Sequence, residues 1–340
     1  MTGALHLPPI ATTTVGSFPR PGWLAARDRG EVTFHLDGVD LEEALDDATV
    51  AVLHQQERLG LDLFTDGEQR RLSFINHFLS GLEGVDLINR GVKDIRRRSG
   101  NPRSVPRIVD HIRRRRPTAL DDLRFAHSHT DRPVKMAVPG PLTIIDTTYD
   151  EVYGDEAALA MDLAAAINAE LLDLQAAGCA MVQIDEPAMT RYHDKTANYG
   201  ARALDRCLEG IALPSIVHLC YGYAGTGPAQ HHYEYPELLT LLMQTRIGGF
   251  SLEFARSGYD PAILQGCGDR LVMFGCVDPG EGPPETLEVV GGRVRAALRY
   301  VDPSHLLIAP DCGLMTIDRE LARSKAALLV AAAREVRETL

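Results

Sequence analysis

No apolar run in this sequence approaches the roughly 18 residues that a membrane-spanning helix needs. The start, Met1-Thr-Gly-Ala-Leu-His-Leu-Pro-Pro, lacks the basic segment and long apolar stretch of a secretory signal, so the expected location is the cytoplasm. Cationic excess is missing as well. With 35 Lys and Arg against 47 Asp and Glu, the formal net charge is −12, which argues against nucleic acid or a membrane surface as a general partner. Cysteine is sparse: six in 340 residues make no disulfide framework, and in a reducing compartment they are left for metal ligation or packing. Cys179, Cys207, Cys267 and Cys276 read as packing residues. No Gly-x-Gly-x-x-Gly turn follows any strand-like run, which removes the main mark of a dinucleotide-binding open sheet.

What is present is a regular alternation of short β-branched runs with longer amphipathic stretches, the pattern of βα units in a parallel sheet. Eight strands are expected, at 11–18, 61–66, 134–140, 181–186, 215–220, 249–253, 271–277 and 306–311, with helices over 41–59, 156–177, 284–300 and 318–339. Eight such units most simply close into a (β/α)8 barrel, a TIM barrel, with its active site at the carboxyl ends of the strands. Residues 1–340 are expected to form one such domain, carrying a basic insertion at about 87–131 between strands two and three. That insertion holds Arg96, Arg97, Arg98, Arg103, Arg107 and the run Arg113 to Arg116. A run of this kind is most often a solvated face, and the alternative is a basic surface kept for an anionic partner.

Two side chains stand out at the end of the fifth strand: His218 and Cys220, in Pro214-Ser-Ile-Val-His-Leu-Cys-Tyr. Residues i and i+2 of a strand point to one face, so the imidazole and thiol converge. Glu253 ends the sixth strand and Cys312 follows the eighth, which makes a four-residue zinc set of two thiolates, an imidazole and an exchangeable carboxylate. Cys220, Glu253 and Cys312 are separated by 33 and 59 positions, spacing that suits a site assembled by the fold and not a zinc knuckle. The alternative for His218 and Cys220 alone is ordinary core packing. Other polar groups also sit at strand ends, among them Ser17, Glu68, Asp185, Glu186 and Asp278. Asp185 before Glu186-Pro187 also reads as a helix cap and Asp66-Gly67 as a turn.

These stretches resemble the cobalamin-independent methionine synthases in their zinc-bearing carboxyl-terminal barrel. The resemblance rests on Thr12-Thr-Thr-Val-Gly-Ser-Phe-Pro-Arg, Asp66-Gly-Glu, Arg132-Pro-Val-Lys with Pro139-Gly-Pro-Leu-Thr-Ile, Gln183-Ile-Asp-Glu-Pro-Ala, His218-Leu-Cys-Tyr, Glu253 with Arg256-Ser, and Pro310-Asp-Cys-Gly-Leu. It implies a (β/α)8 barrel with Zn2+ on His218, Cys220, Glu253 and Cys312. It also implies that Glu68 and Asp185 bind the amino group of homocysteine, with the Ser17 region on its carboxylate. An ammonium group taken into a partly dry pocket needs such carboxylate partners. The implied reaction is methyl transfer to the homocysteine thiol, giving methionine.

The chain also departs from the family. It has no room for the second, amino-terminal barrel; Thr147 stands where the family places a Trp for the pterin ring, and the only Trp is Trp23. The proton-donating His after strand seven is replaced by Val277-Asp-Pro-Gly-Glu-Gly. Both changes weaken a folate donor and turn the expectation to the short "core" methionine synthases, with a methylated corrinoid or corrinoid protein as donor. The alternatives are a folate-dependent methionine synthase and a zinc-dependent thiol alkyltransferase such as an epoxyalkane:coenzyme M transferase.

Overall fold

The structure, a computed structural model, describes residues 6–27, 32–71, 73–96, 102–221 and 235–340. In chain order the strands are β1 (Ala11–Thr12), β2 (Ala25–Arg27), β3 (Val32–Phe34), β4 (Leu82–Asp94), β5 (Pro102–Arg114), β6 (Lys135–Pro139), β7 (Tyr149–Asp150), β8 (Met181–Asp185), β9 (Ser215–Leu219), β10 (Gly249–Glu253), β11 (Leu271–Val277) and β12 (Leu306–Pro310). The helices are α1 (Gly38–Leu59), α2 (Phe74–Leu79), α3 (Ala119–His127), α4 (Pro141–Asp146), α5 (Glu156–Ala176), α6 (His193–Lys195), α7 (Ala201–Cys207), α8 (Tyr235–Leu242), α9 (Leu287–Ala297) and α10 (Arg319–Arg337). Several helices start where a short acceptor side chain precedes an apolar run: Asp155 accepts from Ala157 N, Thr286 from Val289 N and Asp318 from Glu320 N.

Seven strands form one parallel sheet in the order β1-β12-β11-β10-β9-β8-β6. The gap between β6 and β1 is filled by residues 61–66, where Phe64 pairs with Val134 as a parallel bridge and the Asp62 and Leu63 amides donate to Thr12 O at 3.0 and 3.1 Å. The sheet therefore curls into the expected α/β barrel. The second expected strand is reduced to this bridge, and β1 is shorter than the expected 11–18. The reason is a side chain that takes a ladder partner's place: Thr12 N and Oγ1 both donate to Asp62 Oδ2, each at 2.8 Å. Arg337 of α10 closes the same seam, donating to Pro9 O, Ile10 O and, at 2.6 Å, to Asp62.

Strand parity sorts the core. Met181, Ile216, Met273 and Leu307 fill the barrel interior with Ala11 and Leu63. Their neighbours Val182, Val217, Val272 and Leu306 face the helical layer. Continuing the interior parity toward the carboxyl ends gives Gln183 and Asp185 on β8, His218 on β9, and Ser251 and Glu253 on β10.

The basic insertion starts earlier than expected and is built, with β4 and β5 forming an antiparallel hairpin that continues through α3. Much of its charge is paired at home. Arg107 meets Asp86 at 3.2 Å and Glu151 at 3.0 Å, and Arg114 meets Glu170 at 2.8 Å and Asp173 at 2.6 Å. Arg96, Arg103, Arg113, Arg115 and Arg116 are exposed, while Arg97 and Arg98 lie outside the described residues. Among the described residues, no helix is long and apolar enough to cross a membrane.

Candidate metal centre and amino-acid pocket

The four expected ligands come together at the carboxyl end of the barrel. One donor atom from each of His218, Cys220, Glu253 and Cys312 lies within 4.8 Å of the others. The two sulfurs are 3.4 Å apart. His218 is in register with Ser251, and its Nδ1 shares a 2.9 Å hydrogen bond with Ser251 Oγ. That bond leaves Nε2 as the candidate ligand atom, and Nε2 is buried without a hydrogen-bond partner. Burial, followed by the nearby Lys135 charge, pulls the His218 pKa down to about 3, so the ring is neutral, as a ligand must be. Glu253 accepts from Tyr221 N at Oε1, while Oε2 is buried and also unpartnered. Burial, then the neighbouring Cys220, pushes its pKa well above the carboxylate range. A dry cluster of an imidazole lone pair, two thiols and a carboxylate fits a bound cation, and the donor chemistry fits zinc.

Backbone pins hold this geometry. Asp311 accepts from the amides of Phe254, Ala255 and Arg256 at 3.0, 2.9 and 2.8 Å, fixing the turn just after Glu253 from the residue just before Cys312. Tyr235 donates to Leu219 O at 2.8 Å and accepts from Glu253 N at 3.1 Å, so one phenol ties the ends of β9 and β10.

The three expected substrate residues sit around the same mouth. Asp185 is in register with His218, and Gln183 Nε2 donates to its Oδ1 at 2.7 Å. Burial, then the like charge of Glu68, lifts its carboxyl to about 8. Glu68 adopts φ 54 straight after Gly67, a left-handed conformation that a side chain takes only under constraint. Its carboxylate crowds Gly16 so closely that a Cβ there would stand 2.5 Å from Oε1. Ser17 accepts from Leu314 N at 2.9 Å, and a side chain on Gly313 would collide with its hydroxyl. Ser17 is thus joined to Glu68 through Gly16 and to Cys312 through Gly313. Arg71 balances the acids, with Nη2 3.4 Å from Asp66 and Nη1 3.9 Å from Glu68.

Glu186 is not part of this mouth. It accepts from Leu142 N, Thr143 N and Thr143 Oγ1 and so caps α4. Thr147, at the end of α4, turns its hydroxyl back to Thr143 O at 2.8 Å. Asp278 binds Gly280 N at 2.7 Å and lies 3.5 Å from Arg256. Cys179, Cys207, Cys267 and Cys276 are buried, as packing requires. A depression lined by Phe254, Tyr259, Phe274 and Arg293 lies against α9, and none of the four candidate ligands lines it. The sequence reading gave no role to Ser251, Asp311, Arg71 or Lys135. Ser251 was within reach, since strand parity places it inside beside His218.

Fold and site together define the class: an α/β barrel enzyme whose strand ends carry a candidate metal centre beside a pair of carboxylates. Residues 10–335 match the family described as cobalamin-independent synthase, catalytic domain, and the chain belongs to the cobalamin-independent methionine synthase family. Methionine synthase of Sulfurisphaera tokodaii is 32% identical over 337 residues, covering 98% of this chain and 95% of that protein. That of Pyrococcus abyssi is 31% identical over 338 residues, again 95% of its own length, so the short, single-barrel form is shared. Among solved structures, a B12-independent methionine synthase from a Shewanella species, in complex with selenomethionine, is 34% identical. It superposes with a TM-score of 0.90, covering 97% of this chain and 98% of that one. A putative vitamin-B12-independent methionine synthase from Listeria monocytogenes, 21% identical with a TM-score of 0.73, has the same fold. The family is described as cobalamin-independent, and the expected corrinoid donor gains no support from these relatives.

Proposed function

We propose that this enzyme transfers a methyl group to the thiol of homocysteine to form methionine, in the cytoplasm, with Zn2+ held by His218, Cys220, Glu253 and Cys312. The observation that carries the reading is the cluster of four donor atoms within 4.8 Å, two of them buried and unpartnered, beside Asp185. Zn2+ bound there supplies Lewis acidity, which lowers the pKa of a substrate thiol from its usual value near 8.5. The remaining work falls to side chains. Burial raises the pKa of both Asp185 and Glu68, the like charge of Glu68 adds to the shift at Asp185, and both carboxyls meet the need of an α-ammonium group. The Ser17 turn, anchored beside Cys312, takes the carboxylate end. Ser251 keeps the His218 ring in one orientation, and Asp311 holds the Glu253 turn. The complex of the Shewanella relative with selenomethionine, the selenium counterpart of methionine, supports an amino-acid ligand here.

Two donor readings separate on different grounds. The family's description favours a folate-type donor over a corrinoid. The methylcorrinoid reading rests on Thr147, which offers no aromatic face, and on Asp278 in a segment without His. Purified protein is assayed with homocysteine and either methylcobalamin or methyltetrahydrofolate. Turnover with methyltetrahydrofolate removes the corrinoid reading; turnover with methylcobalamin alone removes the folate one. The acceptor assignment stands on preference for homocysteine over 3-mercaptopropionate and coenzyme M, neither of which has an amine. If coenzyme M competes equally, or a short epoxide is opened faster than homocysteine is methylated, the assignment gives way to thiol alkylation of another kind.

A further inference from the structure

Lys135 is the one barrel-interior cation whose contacts reach both halves of the amino-acid pocket, among the described residues. It is 1% exposed, at the start of β6. Its Nζ donates to Thr14 O at 2.9 Å, to Val15 O at 3.0 Å and to Gln183 Oε1, with Met273 Sδ at 3.7 Å. Three oxygen acceptors consume the three N–H donors of an ammonium group, whereas a neutral amine would turn its lone pair on one of them. The acceptor set therefore selects the charged form. Burial pulls in the opposite direction and lowers the pKa, and the charges of Asp185 and Glu68 raise it again.

We propose that Lys135 is a positioning residue that orients both ends of the amino-acid pocket at once. Toward the ammonium end, its bond to Gln183 Oε1 fixes which way the amide lies. The Gln183 NH2 then has to point at Asp185 Oδ1, 2.7 Å away, and holds that carboxylate in place. Toward the carboxylate end, its bonds to Thr14 O and Val15 O fasten the backbone that leads into Gly16 and Ser17, the stretch pressed between Glu68 and Gly313. None of its hydrogen bonds is to a metal-cluster residue, so it reaches the amino-acid pocket by direct contact and His218 only through its charge, whose removal does not disfavour a bound cation. This assignment rests on the homocysteine reading above.

The test uses Lys135→Met, with Lys135→Arg and Gln183→Leu beside it, and reads metal content, homocysteine KM, kcat and the preference for homocysteine over 3-mercaptopropionate. Metal content should stay at the wild-type level in all three. Lys135→Met should lose roughly ten- to a hundredfold of the preference, mainly through KM, because Asp185 and the Ser17 turn lose a common anchor. Gln183→Leu should lose the amine-dependent part alone, while Lys135→Arg, which keeps the charge, should recover part of it. If Lys135→Met does not fold, Gln183→Leu decides: unchanged preference there overturns the proposal. Wild-type discrimination by a folded, metal-bearing Lys135→Met overturns it as well. If the wild type itself shows no preference for homocysteine, the acceptor reading falls and takes this role for Lys135 with it.

Discussion

At the metal end of the site, two buried donor atoms, His218 Nε2 and Glu253 Oε2, have no hydrogen-bond partner. At the amino-acid end, the two carboxylates are already surrounded by protein donors and cations. Gln183 donates to Asp185, Arg71 lies beside Glu68, and Lys135 stands behind both. The first arrangement is incomplete without a cation from outside, since buried polar atoms left unpaired cost free energy. The second already has protein partners before substrate arrives, while burial still holds both carboxyls above their ordinary range. An all-or-none response is expected from one end and a graded one from the other.

The largest effect tests that contrast directly. Purified protein should hold one zinc per chain by elemental analysis, and Cys220→Ser or Cys312→Ser should release it while circular dichroism shows the barrel still folded. Homocysteine methylation should then fall by roughly a thousandfold or more, because the lost Lewis acid is worth several kcal/mol. Full zinc retention by both variants would remove those cysteines from the site. Glu253→Ala should keep more metal than either, since a water fills a carboxylate's place more readily than a thiolate's.

At the amino-acid end, Asp185→Asn should cost about ten- to a hundredfold in preference for homocysteine over 3-mercaptopropionate, with zinc content unchanged. Loss of zinc in this variant would mean that the two ends are not independent. Ser251→Ala should do the reverse on a smaller scale. Removing the partner of His218 Nδ1 should weaken metal affinity by roughly tenfold, read by chelator competition, and leave the thiol preference intact. The smallest effect concerns the hairpin. If its exposed arginines receive a protein-borne donor, high salt should slow that donor a few-fold more than free methylcobalamin. Equal slowing would return those arginines to the solvated surface.

The clustering of the four candidate ligands was legible in large part because strand parity is strict. His218 and Cys220 are two apart and Glu253 ends β10 with interior parity, whereas on β12 that parity runs through Leu307 and Ala309 to Asp311, and Cys312 joins the rim through the turn after the strand. Lys135 was not legible: its partners Thr14, Val15 and Gln183 lie 121, 120 and 48 positions away, and nothing local marks it as more than a strand residue. The seam at Asp62 was missed because a side chain took the place of a backbone partner, which no periodicity records. The β4–β5 hairpin was hidden by its irregular register, which shifts between Glu83 and Val85 and again between Asp86 and Gly91. Its buried residues Val105, Ile108 and Ile112 consequently lose the two-residue alternation that announces a strand.

The seam has a consequence for how the protein is made. β1 pairs with β12, and the Arg337 bonds that secure the joint reach back to Pro9, Ile10 and Asp62. Until α10 has been made, the sheet lacks the Arg337 bonds that secure the β1–β12 joint, and an unsecured strand edge is prone to aggregation. Cys312 also joins Cys220 only once β12 has been added to the sheet that carries β9. A metal held by the four-residue cluster would therefore be captured late in biogenesis, and the Cys220 thiol must stay reduced until then.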